Sequence, residues 1–406
     1  MPAEDIRVYR YRWVILLAFM AVILLNQLLW ITFAPITGFA AQFYGVSDLA
    51  IALLSLSFMV VYIFVSIPAS WLIDTYGFRT AVGIGAVGTG LFGLMRGIFA
   101  SNYTMVLIAQ IGVAAAQPFI LNAITKVAAR WFPIQERATA SGLASLAMYL
   151  GQVVALVLTP LLVLRTSLPT SLMVYGIVSV AGAGAFLLLS REHPPTPASA
   201  PGTDERSLVF DGLKQMLRQR DFLITLAVFF VGLGVFNAVV TWIEDIVRPR
   251  GFSAVQAGLA GGLMIAAGVL GALILPTLSD RYRRRVPFIV LALATSIVGL
   301  AGITFATEYG ALLASTALFG FFLLAAGPIG FQYGAEIAYP APEGTTTGTL
   351  LMAGQVSGII FILGMDQFKV PATGAMTPSL LVLIGLMVVS LILSTRLRES
   401  SLIRPQ

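Results

Sequence analysis

Residues 74–79 read Asp-Thr-Tyr-Gly-Phe-Arg, and residues 280–285 read Asp-Arg-Tyr-Arg-Arg-Arg. Asp74, Tyr76 and Arg79 thus recur as Asp280, Tyr282 and Arg285, 206 residues further on. The same shift carries Gly45 to Gly251, Ser47 to Ser253 and Tyr103 to Tyr309. Each aspartate closes a long apolar run, so the repeat unit is a bundle of hydrophobic helices present twice. The whole chain of 406 residues is 58% hydrophobic and 10% charged, with a mean hydropathy of +0.93. Soluble domains carry about 25% charged residues, so this chain cannot clothe a water-facing surface. Its apolar stretches are long runs rather than ten-residue alternations, which excludes a membrane β-barrel.

A spanning helix needs about 20 apolar residues, and twelve of them with short loops fill roughly 400. The runs predict spans 1 to 6 near 13–38, 48–73, 80–100, 103–130, 137–164 and 168–190. Spans 7 to 12 follow near 221–247, 254–278, 286–306, 309–336, 345–368 and 376–395. The fold class is therefore an all-α polytopic membrane protein: a six-helix bundle over 1–190, a linker over 191–220 and a second bundle over 221–406. The linker stretch HPPTPASAPGTDER at 193–206 is too rich in proline and small residues to span a membrane. Leu208 to Arg220 fits a short amphipathic helix at the membrane surface. With the N-terminus inside, nineteen of the 24 Lys and Arg fall on the cytoplasmic side, and Arg96, Arg165, Arg248, Arg250 and Lys369 on the other. This bias predicts a multi-pass protein of the cell membrane with both termini in the cytoplasm. It also accounts for the net charge of +6 without a nucleic-acid partner. Arg7, Arg10 and Arg12 precede the first run, which is too long for a cleaved leader and reads as the first span. There is no cysteine, and the one histidine, His193, sits in the linker, so no metal site or cofactor is expected.

The two aspartate loops resemble the loop motif of the major facilitator superfamily, in which an aspartate and arginines clasp neighbouring helix ends. The motif's leading glycine is Ser70 in one copy and Pro276 in the other. The resemblance implies that Asp74, Arg79, Asp280, Arg281 and Arg285 form a cytoplasmic latch biasing one access state. Plain positive-inside anchoring is the simpler alternative for the same arginines.

Longer strings narrow the resemblance. They are Asn26-Gln27-Leu28-Leu29-Trp30, Phe43-Tyr44-Gly45-Val46-Ser47, Ala116-Gln117-Pro118-Phe119-Ile120-Leu121 and Trp131-Phe132 before Glu136. The most specific is Glu336-Ile337-Ala338-Tyr339-Pro340, continuing through Glu343-Gly344-Thr345 and Gly348 to Gln355. Together they resemble the feline leukaemia virus subgroup C receptor-related family, facilitator-fold transporters linked to choline and ethanolamine, to haem and, in one branch, to pyridoxine. That family's choline pocket uses a span 1 tryptophan and glutamines from spans 5 and 11. Trp30 and Gln355 match it, while Tyr149 stands where the span 5 glutamine belongs. The family's span 7 cage tyrosine has no match, and Asn237 and Trp242 are the nearest candidates.

The residues support a pocket on their own terms. Asn26 and Trp30, four apart, share one face of span 1. An asparagine in mid-membrane is costly unless it lines a wet cavity or finds a partner on another helix. Tyr149 and Gln355 are repeat mates 206 apart, each about halfway along its span. An aromatic face holds a quaternary ammonium by cation–π attraction. Gln117 and Gln110 share a face of span 4, where lining a cavity and bonding between helices are both open. Tyr62 fits either an aromatic cage or packing with its hydroxyl bonded to a neighbour. Glu244 and Asp245, followed by Arg248 and Arg250, read as a solvated charge cluster rather than a proton carrier. Pro118 and Pro328 are expected to break spans 4 and 10. No ionisable residue falls at mid-depth in spans 1, 4, 5, 7, 8, 10 or 11, which disfavours proton coupling and a carboxylate substrate.

The expected function is alternating-access transport of a small polar or cationic solute of the choline or ethanolamine kind, driven by its gradient, by a chain acting as a monomer in the bilayer. Haem, pyridoxine or another organic solute, with or without proton coupling, is the alternative. Haem iron takes His, Cys, Met or Tyr, and only Met and Tyr are on hand here. A receptor that binds without transporting is an alternative of another class. An enzyme is excluded by the lack of mid-membrane His, Cys or paired carboxylates.

Overall fold

The computed structural model describes residues 9–133, 136–196, 216–338 and 343–400. Among them, twelve helical segments are long and apolar enough to cross a membrane. Spans 1 to 6 are Arg12–Tyr44, Asp48–Tyr76, Phe78–Ile98, Tyr103–Trp131, Thr139–Arg165 and Leu168–Leu189. Spans 7 to 12 are Arg220–Thr241, Ala254–Tyr282, Val286–Phe305, Tyr309–Ala338, Thr346–Gln367 and Thr377–Ser394. Most of the expected amphipathic segment, together with Tyr339 and Pro340, lies outside the described residues.

Two spans are discontinuous for local reasons. Span 1 is helical over Arg12–Ile31, turns through a 3-10 segment at Ala34–Ile36 and resumes over Thr37–Tyr44. Pro35 in that turn has no N–H to continue the ladder, and the Thr32 hydroxyl donates to the Leu28 carbonyl at 2.7 Å. Span 4 divides into Tyr103–Leu121 and Ile124–Trp131, just beyond Pro118. There the Asn122 N–H reaches back to the Pro118 carbonyl at 3.1 Å and the Ala123 N–H to Ile120 at 3.3 Å. Pro328 does not act alike: span 10 runs unbroken from Tyr309 to Ala338, against expectation.

The chain forms two compact units. One comprises Met1–Phe33 and Phe39–Glu205, the other Ala34–Gly38 and Arg206–Gln406. In the first, spans 3 and 6 approach at backbone distance: a Cβ on Gly97 would lie 2.6 Å from the Cα of Met173. In the second, a Cβ on Gly271 of span 8 would strike the Phe321 carbonyl of span 10. Close approach of this kind replaces hydrophobic drive with van der Waals packing inside a membrane.

The junctions after spans 2 and 8 are built alike. Gly77 has φ 87°, and its repeat mate Arg283 has φ 51°, the one positive value at a non-glycine among the described residues. The Glu192 carboxylate accepts from the Phe78 and Arg79 N–H groups at 3.2 and 2.7 Å. The Glu399 carboxylate accepts from those of Arg285 and Val286 at 3.0 and 3.1 Å. A carboxylate at a helix N-terminus satisfies orphan donors and the positive end of the dipole together.

Candidate functional site

Span 1 carries three polar or amphipathic side chains in its middle. Asn26 is fully buried, and its amide donates to the Thr89 hydroxyl at 3.1 Å and the Val113 carbonyl at 3.3 Å. It ties spans 1, 3 and 4 together, the inter-helix alternative noted above. Gln27, buried beside it, accepts from Gln152 of span 5 at 3.0 Å. Among the described residues, neither the Gln27 Nε2 nor the Gln152 Oε1, both buried, has a hydrogen-bond partner. Trp30 is 8% exposed; its indole N–H donates to the Ser55 carbonyl of span 2 at 3.1 Å, and its ring lies 6.4 Å from Phe58.

The other candidates of the first unit divide. Tyr149 is partly exposed on span 5, whereas Gln117 is buried on span 4. The Tyr62 hydroxyl donates to Asn122 at 2.8 Å, and Asn122 in turn donates to Ser66 and Ser70. Tyr62 is thereby committed to the span 2–span 4 contact at the break in span 4. Gln110 is committed as well, to the Leu29 and Trp30 carbonyls at 3.2 and 3.3 Å.

In the second unit Asn237 and Gln355 are partly exposed on spans 7 and 11. Trp242 is fully buried, donates to the Ile362 carbonyl at 3.1 Å and lies 5.8 Å from the Lys369 ammonium. Glu244 and Asp245 correct the expectation of a solvated cluster, for they are 4% and 0% exposed. Arg248 bridges both, at 2.9 Å to Glu244 and 2.8 Å to Asp245, and Lys369 approaches Asp245 at 3.5 Å. Glu244 also accepts from the Gly38 N–H at 2.9 Å. Two buried carboxylates are thus each met by a partly exposed cation.

The loop motif differs between its copies. In the second, Arg285 pairs with Asp280 and, at 3.2 Å, with Glu336, while Arg281 is exposed. Burial works against the charge of Arg285, but its hydrogen bonds to Asp280 and Glu336 outweigh this and hold its pKa above the ordinary value. In the first copy the partner of Asp74 is Lys126 at 3.0 Å, whereas the Arg79 side chain is exposed.

Arg96 escaped the reading from sequence altogether. Counted there as an outward-side charge, it is fully buried. Its guanidinium donates to the Leu29 carbonyl at 2.8 Å, closely to Gln110 and to the Thr32 hydroxyl at 3.3 Å, and lies 5.4 Å from the Phe33 ring. The available signals were Gln110 and the Thr32–Pro35 break, since a buried arginine needs acceptors and a broken helix supplies them.

The major facilitator superfamily model matches residues 17–362. Solute carrier family 49 member A3 of Danio rerio is 32% identical, over 91% of this chain and 81% of its own. Choline/ethanolamine transporter FLVCR1 of Felis catus is 28% identical over 98% of this chain and 76% of its own. Choline/ethanolamine transporter FLVCR2 of Homo sapiens is 27% identical, over 89% and 73%. The solved inward-facing, unoccupied structure of a bacterial homologue of the human lysosomal transporter Spinster matches with a TM-score of 0.79 at 15% identity, over 98% of this chain and all of that one. A mutant of the nucleoside transporter NupG matches at 0.74 and 13%, over 94% and 99%; both likenesses speak to fold. Twelve spans, a duplicated half and a family match over most of the chain lead to one conclusion: the chain belongs to the major facilitator superfamily and is a membrane transporter rather than an enzyme.

Proposed function

We propose that the chain is a secondary transporter of a small polar or cationic organic solute of the choline or ethanolamine kind, working by alternating access down the solute's own gradient. The observation that carries the reading is the partial exposure of Tyr149 and Gln355 near the middle of otherwise apolar spans, with Asn237 partly exposed nearer the end of span 7. A polar side chain at that depth that is not sealed in packing is expensive in lipid and at home beside a wet substrate path. Trp30 supplies the aromatic surface suited to an ammonium group, and Gln355 and Tyr149 supply hydrogen-bonding groups. The relatives named as choline/ethanolamine transporters support that solute class. The excess of Lys and Arg on one side supports an orientation with both termini in the cytoplasm.

Proton coupling is the second reading, favoured by the buried Glu244 and Asp245. Each carboxylate is paired with a cation, Glu244 with Arg248 and Asp245 with Arg248 and Lys369, rather than standing alone in the bundle, so gradient-driven transport is preferred.

Labelled-choline uptake into proteoliposomes, with and without a pH gradient, tests both readings. Saturable uptake, indifferent to the gradient and reduced at least about tenfold in Trp30→Ala and Gln355→Ala, is expected. Absence of uptake by folded wild-type protein overturns the choline assignment and sends the same vesicles to ethanolamine, pyridoxine and haem. Binding without accumulation identifies a receptor.

A further inference from the structure

A fully buried guanidinium is a large electrostatic cost unless its charge is answered. Among the described residues, none of the groups bonded to Arg96 is a carboxylate: they are a backbone carbonyl, an amide and a hydroxyl. The Leu29 carbonyl belongs to the last turn of the helix Arg12–Ile31, where carbonyls have no partner in the helix and the dipole leaves about half a negative charge. The counter-charge of Arg96 is thus the end of the first helix of span 1. Gln110 completes the arrangement by donating from span 4 to Leu29 and Trp30 while accepting from Arg96. Side chains from spans 3 and 4 therefore grip the Leu29 and Trp30 carbonyls and the Thr32 hydroxyl, and Trp30 lies inside that grip with its indole anchored on the Ser55 carbonyl.

We propose that Arg96, acting with Gln110, is a positioning residue for substrate: it fixes the broken end of the span 1 helix and thereby the direction of the Trp30 ring. The inference rests on the reading of Trp30 as a substrate contact. The planar guanidinium reaches three acceptors at once, which a lysine ammonium on its flexible stem does not reproduce. Loss of the grip leaves the ring present but misdirected, and a misplacement of about 1 Å in a binding group is costly. Substrate affinity falls while the rate of turnover at saturation changes little.

The experiment compares wild type, Arg96→Lys, Gln110→Met, Trp30→Ala and the two double variants, each as the full chain reconstituted in proteoliposomes, with labelled choline as probe. Arg96→Lys is expected to raise KM about tenfold with Vmax within about threefold, and Gln110→Met to follow in the same direction by less. In the Trp30→Ala background neither substitution is expected to raise KM further, because residues acting through one another are non-additive. An unchanged KM in either folded variant, or effects that multiply with Trp30→Ala, overturns the proposal. Gln110→Met, which alters no charge, carries the test if Arg96→Lys does not fold. Acrylamide quenching of the Trp30 component, taken as wild type minus Trp30→Phe, reads the ring without any substrate. A change in it on Gln110→Met or Arg96→Lys is expected, and none overturns the positioning role. Should wild type take up no choline, the solute assignment fails while the quenching measurement still decides this inference.

Discussion

The first half of the repeat hides polar side chains where the second half has small or apolar ones. Asn26, Gln27, Arg96 and Gln152 surround the middle of span 1, and their mates 206 residues on are Gly232, Leu233, Gly302 and Gly358. Gln110 becomes Thr316, whose hydroxyl only folds back onto its own helix at the Leu313 carbonyl. The second half keeps its buried charges elsewhere, in Glu244 and Asp245 just beyond span 7, which pair with the partly exposed Arg248, and in Arg285 and Glu336 at the span 8–9 junction. The loops tell the opposite story, since Gly77 with Glu192 and Arg283 with Glu399 repeat one device in both halves. Duplication has preserved the way helices start and turn, while the interiors have diverged. The break itself is repeated, since the mate of span 1 turns at Trp242 between Arg220–Thr241 and Ile243–Val247. What differs is how each break is held, by a lattice of uncharged polar groups around Arg96 in the first half and by ion pairs in the second.

Arg96→Met is the harshest test of that difference. It leaves the Leu29 carbonyl, Gln110 and Thr32 without their shared donor in a buried site. A loss of about 3 kcal/mol or more is expected, measured as a drop in melting temperature of the detergent-solubilised protein. Gly302→Ala places a methyl at the mate of Arg96, against the Ser315 side chain of span 10. It is expected to cost about 1 kcal/mol by overpacking. Equal losses at the two positions would break the claim that the interiors differ in kind.

Glu336→Gln comes next. It removes one of the two carboxylates on Arg285 but keeps an acceptor in place, and a loss of about 2 kcal/mol is expected in the same melting measurement. Glu192→Ala and Glu399→Ala follow, at about 1 kcal/mol each, the usual worth of a helix N-cap. These two sharpen the comparison by their equality. A loss confined to one of them would mean that the capping device is repeated in geometry but not in energy.

The contrast between loops and interiors also sets what the sequence reveals. Twelve spans follow from hydropathy because apolar length is a local property, and the repeat follows because turn residues recur at one offset. The commitment of Tyr62 to packing was among its anticipated roles, because a phenol hydroxyl in a bundle finds a partner. Arg96 stayed hidden because its chief acceptor is a backbone carbonyl, which every residue possesses and no motif announces. Glu192 and Glu399 lie more than a hundred residues from the N–H groups they cap, so no local pattern links them. Glu244 and Asp245 looked solvated because two arginines follow closely. Their burial depends on Lys369 and Gly38, both distant in the chain. Of the proposed substrate contacts, depth along a span is legible in sequence, but which side chain is sealed in packing is a tertiary fact. Asn26 and Tyr149 looked alike before folding, and only the first is fully buried.

The smallest expected effect concerns the first copy of the loop motif. Asp74 pairs with Lys126 across 3.0 Å, as Asp280 pairs with Arg285, yet the carboxylates are 71% and 65% exposed while Lys126 and Arg285 are 22% and 9% exposed. The difference lies in the cation, and in what else it holds. Lys126 offers a hydrated point charge to a solvated carboxylate, a pair worth at most about 1 kcal/mol and weakened by salt. Arg285 is committed to Asp280, Ser279 and Glu336 together. Lys126→Met is accordingly expected to shift stability by no more than about 0.5 kcal/mol, with any shift vanishing in molar salt. A loss matching that of Glu336→Gln would show that the two aspartate loops bear equal weight. A near-silent Lys126→Met leaves the second loop as the one where charge pairing holds helix ends together.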